Sequence, residues 1–175
     1  MYPVGRLLAT SLAARGRPRL NIDDVHVSRH MCLPWELDMF FELNNGRTLT
    51  LFDLGRTGFA LRTGFLDLVR RRRWALTVAG TSIRYRRRIR VFDRFEMRTM
   101  ALGRDARFLY LHQTLWRGEV AACSSRSRTA VTDLRGIVPT DRVTEAFGTP
   151  DWAPPLPGWV QAWIAAEDRR PWPPG

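Results

Sequence analysis

The sequence predicts an α+β chain: a curled antiparallel sheet wrapped around one long central helix, with extra helices at the C-terminal end. Three observations carry this. A period-two segment at residues 21–33 precedes a helical stretch at residues 47–62. That helix is apolar over more than half its circumference. Four long strand-like segments joined by turns then follow in succession. So wide an apolar surface needs cover on most sides, and long antiparallel strands need an apolar cover on one face. A sheet curled around the helix meets both needs.

Residues 1–20 read as a basic amphipathic segment, with Leu7, Leu8, Leu12 and Ala13 set among Arg6, Arg15, Arg17 and Arg19. The segment lacks the continuous apolar core and small-residue cleavage site of a signal peptide. It is expected to pack on the main domain, and a membrane surface is its second candidate partner. Residues 21–138 make up that domain. Val25, Val27, Arg29 and Met31 alternate with His26, Ser28, His30 and Cys32, which predicts a strand that Pro34 ends. Asn44 or Asn45 suits the N-cap of the next helix, where Leu49, Phe52, Phe59 and Ala60 share a face widened by Leu51, Leu54 and Leu61. Thr63-Gly64 breaks it, and a shorter helix at 65–72 ends in an Arg run at 70–73. Segments 74–89, 91–102, 107–116 and 119–132 read as strands, turned at Gly103-Arg104-Asp105 and Arg117-Gly118. Residues 139–175 form a Trp- and Pro-rich extension packed on the domain. It holds a short helix at 140–147, a Pro-rich link at 150–157, and a helix at 158–170 that Pro171-Trp172-Pro173-Pro174 stops.

With 175 residues the chain suits one domain of ordinary size. Its net charge is +11, and every basic residue is Arg. That charge favours anionic partners. Nucleic acid ranks last among them, because helix-turn-helix, RNP and zinc signatures are all missing. The two cysteines, Cys32 and Cys123, have no metal spacing. That excludes a CxxC-type zinc site and a disulfide scaffold, and no metal or other cofactor is expected. No apolar run approaches the ~20 residues of a spanning helix.

Three stretches resemble a known signature: Leu33-Pro34-Trp35-Glu36-Leu37-Asp38-Met39, then Leu43-Asn44-Asn45-Gly46-Arg47, then Leu51-Phe52-Asp53-Leu54-Gly55-Arg56. They look like the hotdog-fold thioesterases, in the 4-hydroxybenzoyl-CoA and acyl-ACP thioesterase-like branch. Residues 83–87 and 95–99 are similar to that family's second and third strands. The resemblance implies a hotdog fold and hydrolysis of an acyl-CoA or acyl-carrier-protein thioester. It also implies a homodimer or homotetramer, with the site at a subunit interface near the start of the central helix. The family's catalytic carboxylate falls on Asp38. Glu42 stands where the pattern has His, Phe40 where Asn is frequent, Glu36 where Asp is usual, and Thr48-Leu49 where a Tyr is expected. Two readings therefore stay open. One is a thioesterase with Asp38 and Glu42 as catalytic residues. The other is a catalytically altered hotdog protein that binds an acyl thioester or a protein partner. The absent export signal and the resemblance together predict a cytoplasmic, bacterial protein.

The chemistry sets the roles. A carboxylate can attack a thioester carbonyl or deprotonate water, which suits Asp38. The developing oxyanion needs donors, and amides at a helix start are unpaired within the helix. Asn44, Asn45, Gly46 and Arg47 are therefore the candidate substrate-binding residues. His26, His30 and His112 are expected to be strand histidines, and Cys32 and Cys123 buried thiols. Asp53 and Arg56 are spaced to pair along the helix. Arg84, Arg86, Arg88 and Arg90 are expected to share one side of a strand, as a solvated face or as a holder of phosphates.

Overall fold

The computed structural model describes residues 4–171 and 173. Its elements in chain order are α1 (Val4–Arg15), β1 (His26–Met31), a 3-10 turn (Pro34–Glu36), α2 (Asn45–Thr63), α3 (Phe65–Arg72), β2 (Ala75–Tyr85), β3 (Arg94–Arg104), β4 (Leu109–Arg117), β5 (Val120–Asp133), β6 (Gly136–Ile137), α4 (Thr140–Phe147) and α5 (Gly158–Arg169). The strands form one antiparallel sheet in the order β1-β3-β4-β5-β2, with β6 beside β5. The sheet curls around α2, as the sequence predicts.

The contact between α2 and the sheet rests on two glycines. One row across the sheet runs His26, Thr99, Gln113, Ser125, Ile83. Gln113 Nε2 donates to Phe52 O at 2.9 Å and to Thr99 Oγ1 at 3.0 Å, so it ties the helix backbone to the sheet. A Cβ at Gly55 would stand 2.7 Å from Gln113 Nε2, and one at Gly58 would stand 2.5 Å from His26 Nε2. Only residues without a side chain let the backbone come this near. Towards the N-terminal end of α2 the contact turns apolar: Leu51, Phe52 and Leu54 pack with Phe95, Met97, Leu115 and Cys123.

The other face of the sheet is covered as well. Along β4 the side chains alternate, so Tyr110 and His112 point away from α2 and meet α5. Tyr110, Val160 and Trp163 form a separate buried cluster there. Arg126 lies over both Trp159 and Trp163, and Arg128 over Trp163 and Phe108. These stacked guanidiniums explain how Arg-bearing strand positions sit beneath a helix. Of the Pro-rich run expected to stop α5, Trp172 and Pro174 lie outside the described residues, as do Met1 to Pro3 of the N-terminal segment.

α1 packs on the main body. Leu7 reaches the α2 core, and Arg6 pairs with the buried Glu36 while donating to Met31 O at 2.7 Å. Two expected elements are shorter than their sequence pattern. β1 starts at His26 because a turn held by Asp24, whose Oδ2 accepts from Asn21 N–H at 2.7 Å, precedes it. β2 ends at Tyr85, where the chain turns: Arg86 and Arg87 N–H both donate to Ala122 O. Arg84, Arg86, Arg88 and Arg90 therefore do not share a strand face, contrary to the period-two expectation. Arg86, Arg88 and Arg90 lie instead on a loop, which Asp93 pins by accepting from Arg90 N–H at 2.8 Å.

Candidate active site at the start of the central helix

The loop before α2 is a small hairpin. Leu37 pairs with Leu43, Asp38 N–H donates to Glu42 O at 2.8 Å, and Phe41 N–H donates to Asp38 O at 3.1 Å. Asp38 organises the turn with one carboxylate oxygen. Its Oδ1 accepts from Phe40 N–H at 2.8 Å and from Glu42 N–H at 3.2 Å. Oδ2 takes no part in that turn.

Asp38, Glu42, Asn45 and Thr48 line one cavity of about 210 Å³, together with Tyr85 and Cys123 from the paired strands β2 and β5. The structure thus brings three of the six expected site residues, Asp38, Glu42 and Asn45, to one cavity. Asn44 is the helix cap: its Oδ1 accepts from Gly46 N–H at 2.8 Å and from Arg47 N–H at 3.3 Å. Two of the three amides expected to face an oxyanion, those of Gly46 and Arg47, are therefore engaged by this cap, and the third, the Asn45 N–H, stands outside it. Glu42 is ion-paired with Arg88 at 3.0 Å. That partner comes from the Arg-rich loop, which crosses Glu42 through a bridge between Glu42 and Arg90.

Spacing along the chain gave no sign of Thr48, Tyr85 or Cys123 as lining residues. Tyr85 and Cys123 meet only through strand register. Burial pushes the Cys123 thiol up to about 12, which favours its protonated form at neutral pH. Burial, and then the nearby Glu36 carboxylate, raise Cys32 to about 11. His26 and His30 on β1 are buried and held neutral. Burial lowers His26 to about 4, with help from Arg62 and Arg17. His30 is lowered to about 4 by burial, and then by Arg6 and His26. Neither lines the Asp38 cavity.

A second cavity, of about 250 Å³, lies beside the C-terminal half of α2. Its walls are mostly apolar, from Leu76, Val78, Leu109 and Leu111 of the sheet to Phe65 and Phe147 of α3 and α4. Asp53 and Arg56 pair, as their spacing predicts, and both line this cavity. Arg56 also donates to Gln113 Oε1 at 2.8 Å. Among the described residues no group of three or more His, Cys, Asp or Glu side chains is placed to hold a metal.

Residues 32–164 match the family described as the Thioesterase-like superfamily. Protein THEM6 of Xenopus laevis is 34% identical over 88 residues, which is 50% of this chain and 42% of that protein. Protein THEM6 of Drosophila melanogaster is 29% identical over 136 residues, 75% of this chain and 70% of that protein. Protein THEM6 of Danio rerio is 32% identical over 78 residues, 45% of this chain and 39% of that protein. The chain thus spans less than half the length of the frog and zebrafish relatives. Among solved structures, the YbaW probable thioesterase of Escherichia coli superposes with a TM-score of 0.66 at 15% identity, over 70% of this chain and 96% of that one. The hypothetical protein SAV2348 of Staphylococcus aureus, solved in complex with CoA, gives 0.62 at 13% identity, over 81% and 95%. At these identities the structural likeness establishes the hotdog fold.

One expectation falls. The sequence reading places the chain in a bacterial cytoplasm, yet the curated relatives it matches are the THEM6 proteins of a frog, a fly and a fish. No helix among the described residues is long and apolar enough to cross a membrane. The match over residues 32–164, together with the hotdog architecture built around α2, makes this chain a member of the Thioesterase-like superfamily.

Proposed function

We propose that this protein hydrolyses an acyl thioester, with Asp38 as the base or nucleophile. The observation that carries the reading is the shared cavity: Asp38 stands with Asn45 and Thr48, at the first turn of α2, around one space of about 210 Å³. Asp38 Oδ1 is fixed by the turn amides, which aims the carboxylate and leaves Oδ2 to meet water or the carbonyl carbon. As base, Asp38 takes a proton from water while the water oxygen adds to the carbonyl. The oxyanion forms next to the α2 tip, where the positive end of the helix dipole and the Asn45 N–H favour it. Collapse expels the thiolate, which recovers the proton. Glu42 orients the site from its ion pair with Arg88. Arg86, Arg87 and Arg88 line the same cavity and supply fork-shaped donors suited to the phosphates of CoA or the acidic face of a carrier protein. The apolar cavity beside Asp53 suits an acyl chain.

A homodimer fits this reading. β2 ends the sheet order with a free edge and exposes Leu76 and Val78, so two copies can join their sheets there. One observation favours the second reading, binding without turnover: Asn44 already takes the Gly46 and Arg47 amides.

The test is a panel of acyl-CoA and acyl-carrier-protein thioesters with detection of the free thiol. Asp38→Asn keeps an acceptor oxygen for the turn but loses the base. The expected result is a rate lower by ~10²–10⁴-fold with the sedimentation behaviour unchanged. Equal rates in variant and parent remove Asp38 from the chemistry. Substrate binding with no turnover in the parent itself establishes the second reading.

A further inference from the structure

We propose that the cleft between the outer face of the sheet and α5 binds the phosphate group of a small molecule. The cleft measures about 710 Å³. Its polar lining comes from Ser82 and Arg84 of β2, His112 of β4, and Ser124 and Arg126 of β5, and Trp159 of α5 walls it. Strand register assembles the group. Ser82 stands opposite Arg126, Arg126 opposite His112, and Arg84 opposite Ser124. Arg126 lies over the Trp159 ring, and His112 meets that ring edge-on at 5.5 Å. By strand alternation Ser82, Arg84 and Ser124 point to the same side.

Uncompensated charge marks the cleft. Other arginines on this face of the sheet carry their own carboxylates. Arg128, two residues along β5, pairs with Glu167 at 3.3 Å, and Arg98 of β3 pairs with Glu96 at 2.8 Å. Among the described residues neither Arg84 nor Arg126 has a carboxylate partner, and no acidic side chain lines the cleft. Burial, and then the Arg84 charge, press the Arg126 guanidinium below its ordinary pKa. Arg126 Nε and His112 Nδ1 are buried, and neither has a hydrogen-bond partner among the described residues. Buried polar atoms left unbonded carry a desolvation cost that a bound anion would relieve.

The donors select phosphate. Two guanidiniums offer planar forks of N–H groups, and two hydroxyls stand beside them. A phosphate monoester carries close to two negative charges at neutral pH and balances both arginines, where a carboxylate would balance one. The cleft is larger than a phosphate and leaves room along Trp159 for the organic group attached to it.

This site is separate from the proposed reaction site and does not depend on it. Tyr85 and Cys123 line the Asp38 cavity, and their chain neighbours Arg84 and Ser124 point through the opposite face of the sheet. Arg86, Arg87 and Arg88 do not line the cleft. Joining copies edge to edge along β2 extends the sheet and lays no strand over this face.

The test is isothermal titration of the full chain with inorganic phosphate and with AMP at constant ionic strength. The parent is expected to bind both, and Arg84→Gln to bind each at least tenfold more weakly. Arg84 is exposed, so its replacement should leave the unfolding temperature in phosphate-free buffer unchanged. Arg71→Gln removes the same charge from an exposed position of α3 and should bind as the parent does. A CoA titration separates a free phosphate ester from the phosphates of a thioester carrier: CoA affinity should change less than twofold in Arg84→Gln. The proposal is overturned if the parent binds neither probe, if Arg84→Gln binds normally, or if Arg71→Gln weakens binding as much. An equal loss for CoA and AMP overturns it too, because the cleft would then serve the thioester itself. So does a change in sedimentation of Arg84→Gln, because a neighbouring copy would then be supplying the counter-charge.

Discussion

Gly55 tests the closeness of the central helix to the sheet. An alanine Cβ there would stand 2.7 Å from Gln113 Nε2, 2.8 Å from Met97 Sδ and 2.8 Å from Thr99 Oγ1. Unstrained contacts of carbon need ~3.5–4.0 Å, so about 1 Å must be found. Gln113 cannot recede, since Nε2 is bonded to Phe52 O and Thr99 Oγ1 and Oε1 to Arg56. Met97 is fully buried. The helix must therefore lift, or Gln113 must give up a bond. Alanine is the better helix former by ~0.8–1.0 kcal/mol. Overpacking costs ~1–3 kcal/mol, and a lost buried hydrogen bond adds ~0.5–1.5 kcal/mol. The net expectation is a loss of ~1–2 kcal/mol, or a fall of ~2–8 °C in Tm for a chain of this size. Gly5→Ala is the control: among the described residues nothing lies within 4 Å of its Cβ, so only propensity acts and Tm should rise by ~2–4 °C. Thermal unfolding by circular dichroism reads both. A Gly55→Ala protein as stable as the parent, or more so, would refute the close-contact reasoning.

Stability should also fall as pH drops. His26 and His30 are held near 4 in the fold against 6.5 unfolded, so the unfolded chain gains protons between those values that the native chain refuses. At ~1.4 kcal/mol per unit, each histidine withdraws up to about 3 kcal/mol across that window and nothing further below it. Urea titrations at neutral pH and near pH 5 measure this, and His30→Gln should flatten the slope; a midpoint independent of pH would exclude both histidines. The Arg6–Glu36 pair makes a third case. Arg6→Met leaves the buried Glu36 carboxylate, among the described residues, with only the Leu33 N–H at 2.9 Å, for a loss of ~3–5 kcal/mol. Arg6→Met/Glu36→Gln should recover most of it, and equal stability of the single and double variants would show that the charge of Glu36 carries no penalty.

Features decided within a few residues could be read from the sequence. The Asn44 cap, the Asp53–Arg56 pair and the long α2 follow from local rules of capping and helical spacing. So did the run of antiparallel strands, because period two survives in each. Glycines 55 and 58 carried no such signal, since their meaning lies in Gln113 and His26, which meet them only after the sheet is in register. Likewise the end of β2 at Tyr85 depends on Asp93 and Ala122, and period two alone continued the strand through Arg90. At the site, Asp38 and Glu42 stood out by motif. The oxyanion donors differed from expectation in part, because Asn44, in capping the helix, takes the Gly46 and Arg47 amides and leaves that of Asn45.

The helix laid over the outer side of the sheet limits how copies of this chain can assemble. Trp159 and Trp163 clamp Arg126 there, and Val160 seals the space over Tyr110. Two sheets therefore cannot stack back to back across β4 and β5 without peeling that helix away. Copies that join through their sheets would have to meet at a strand edge, as along β2, and not across this covered face.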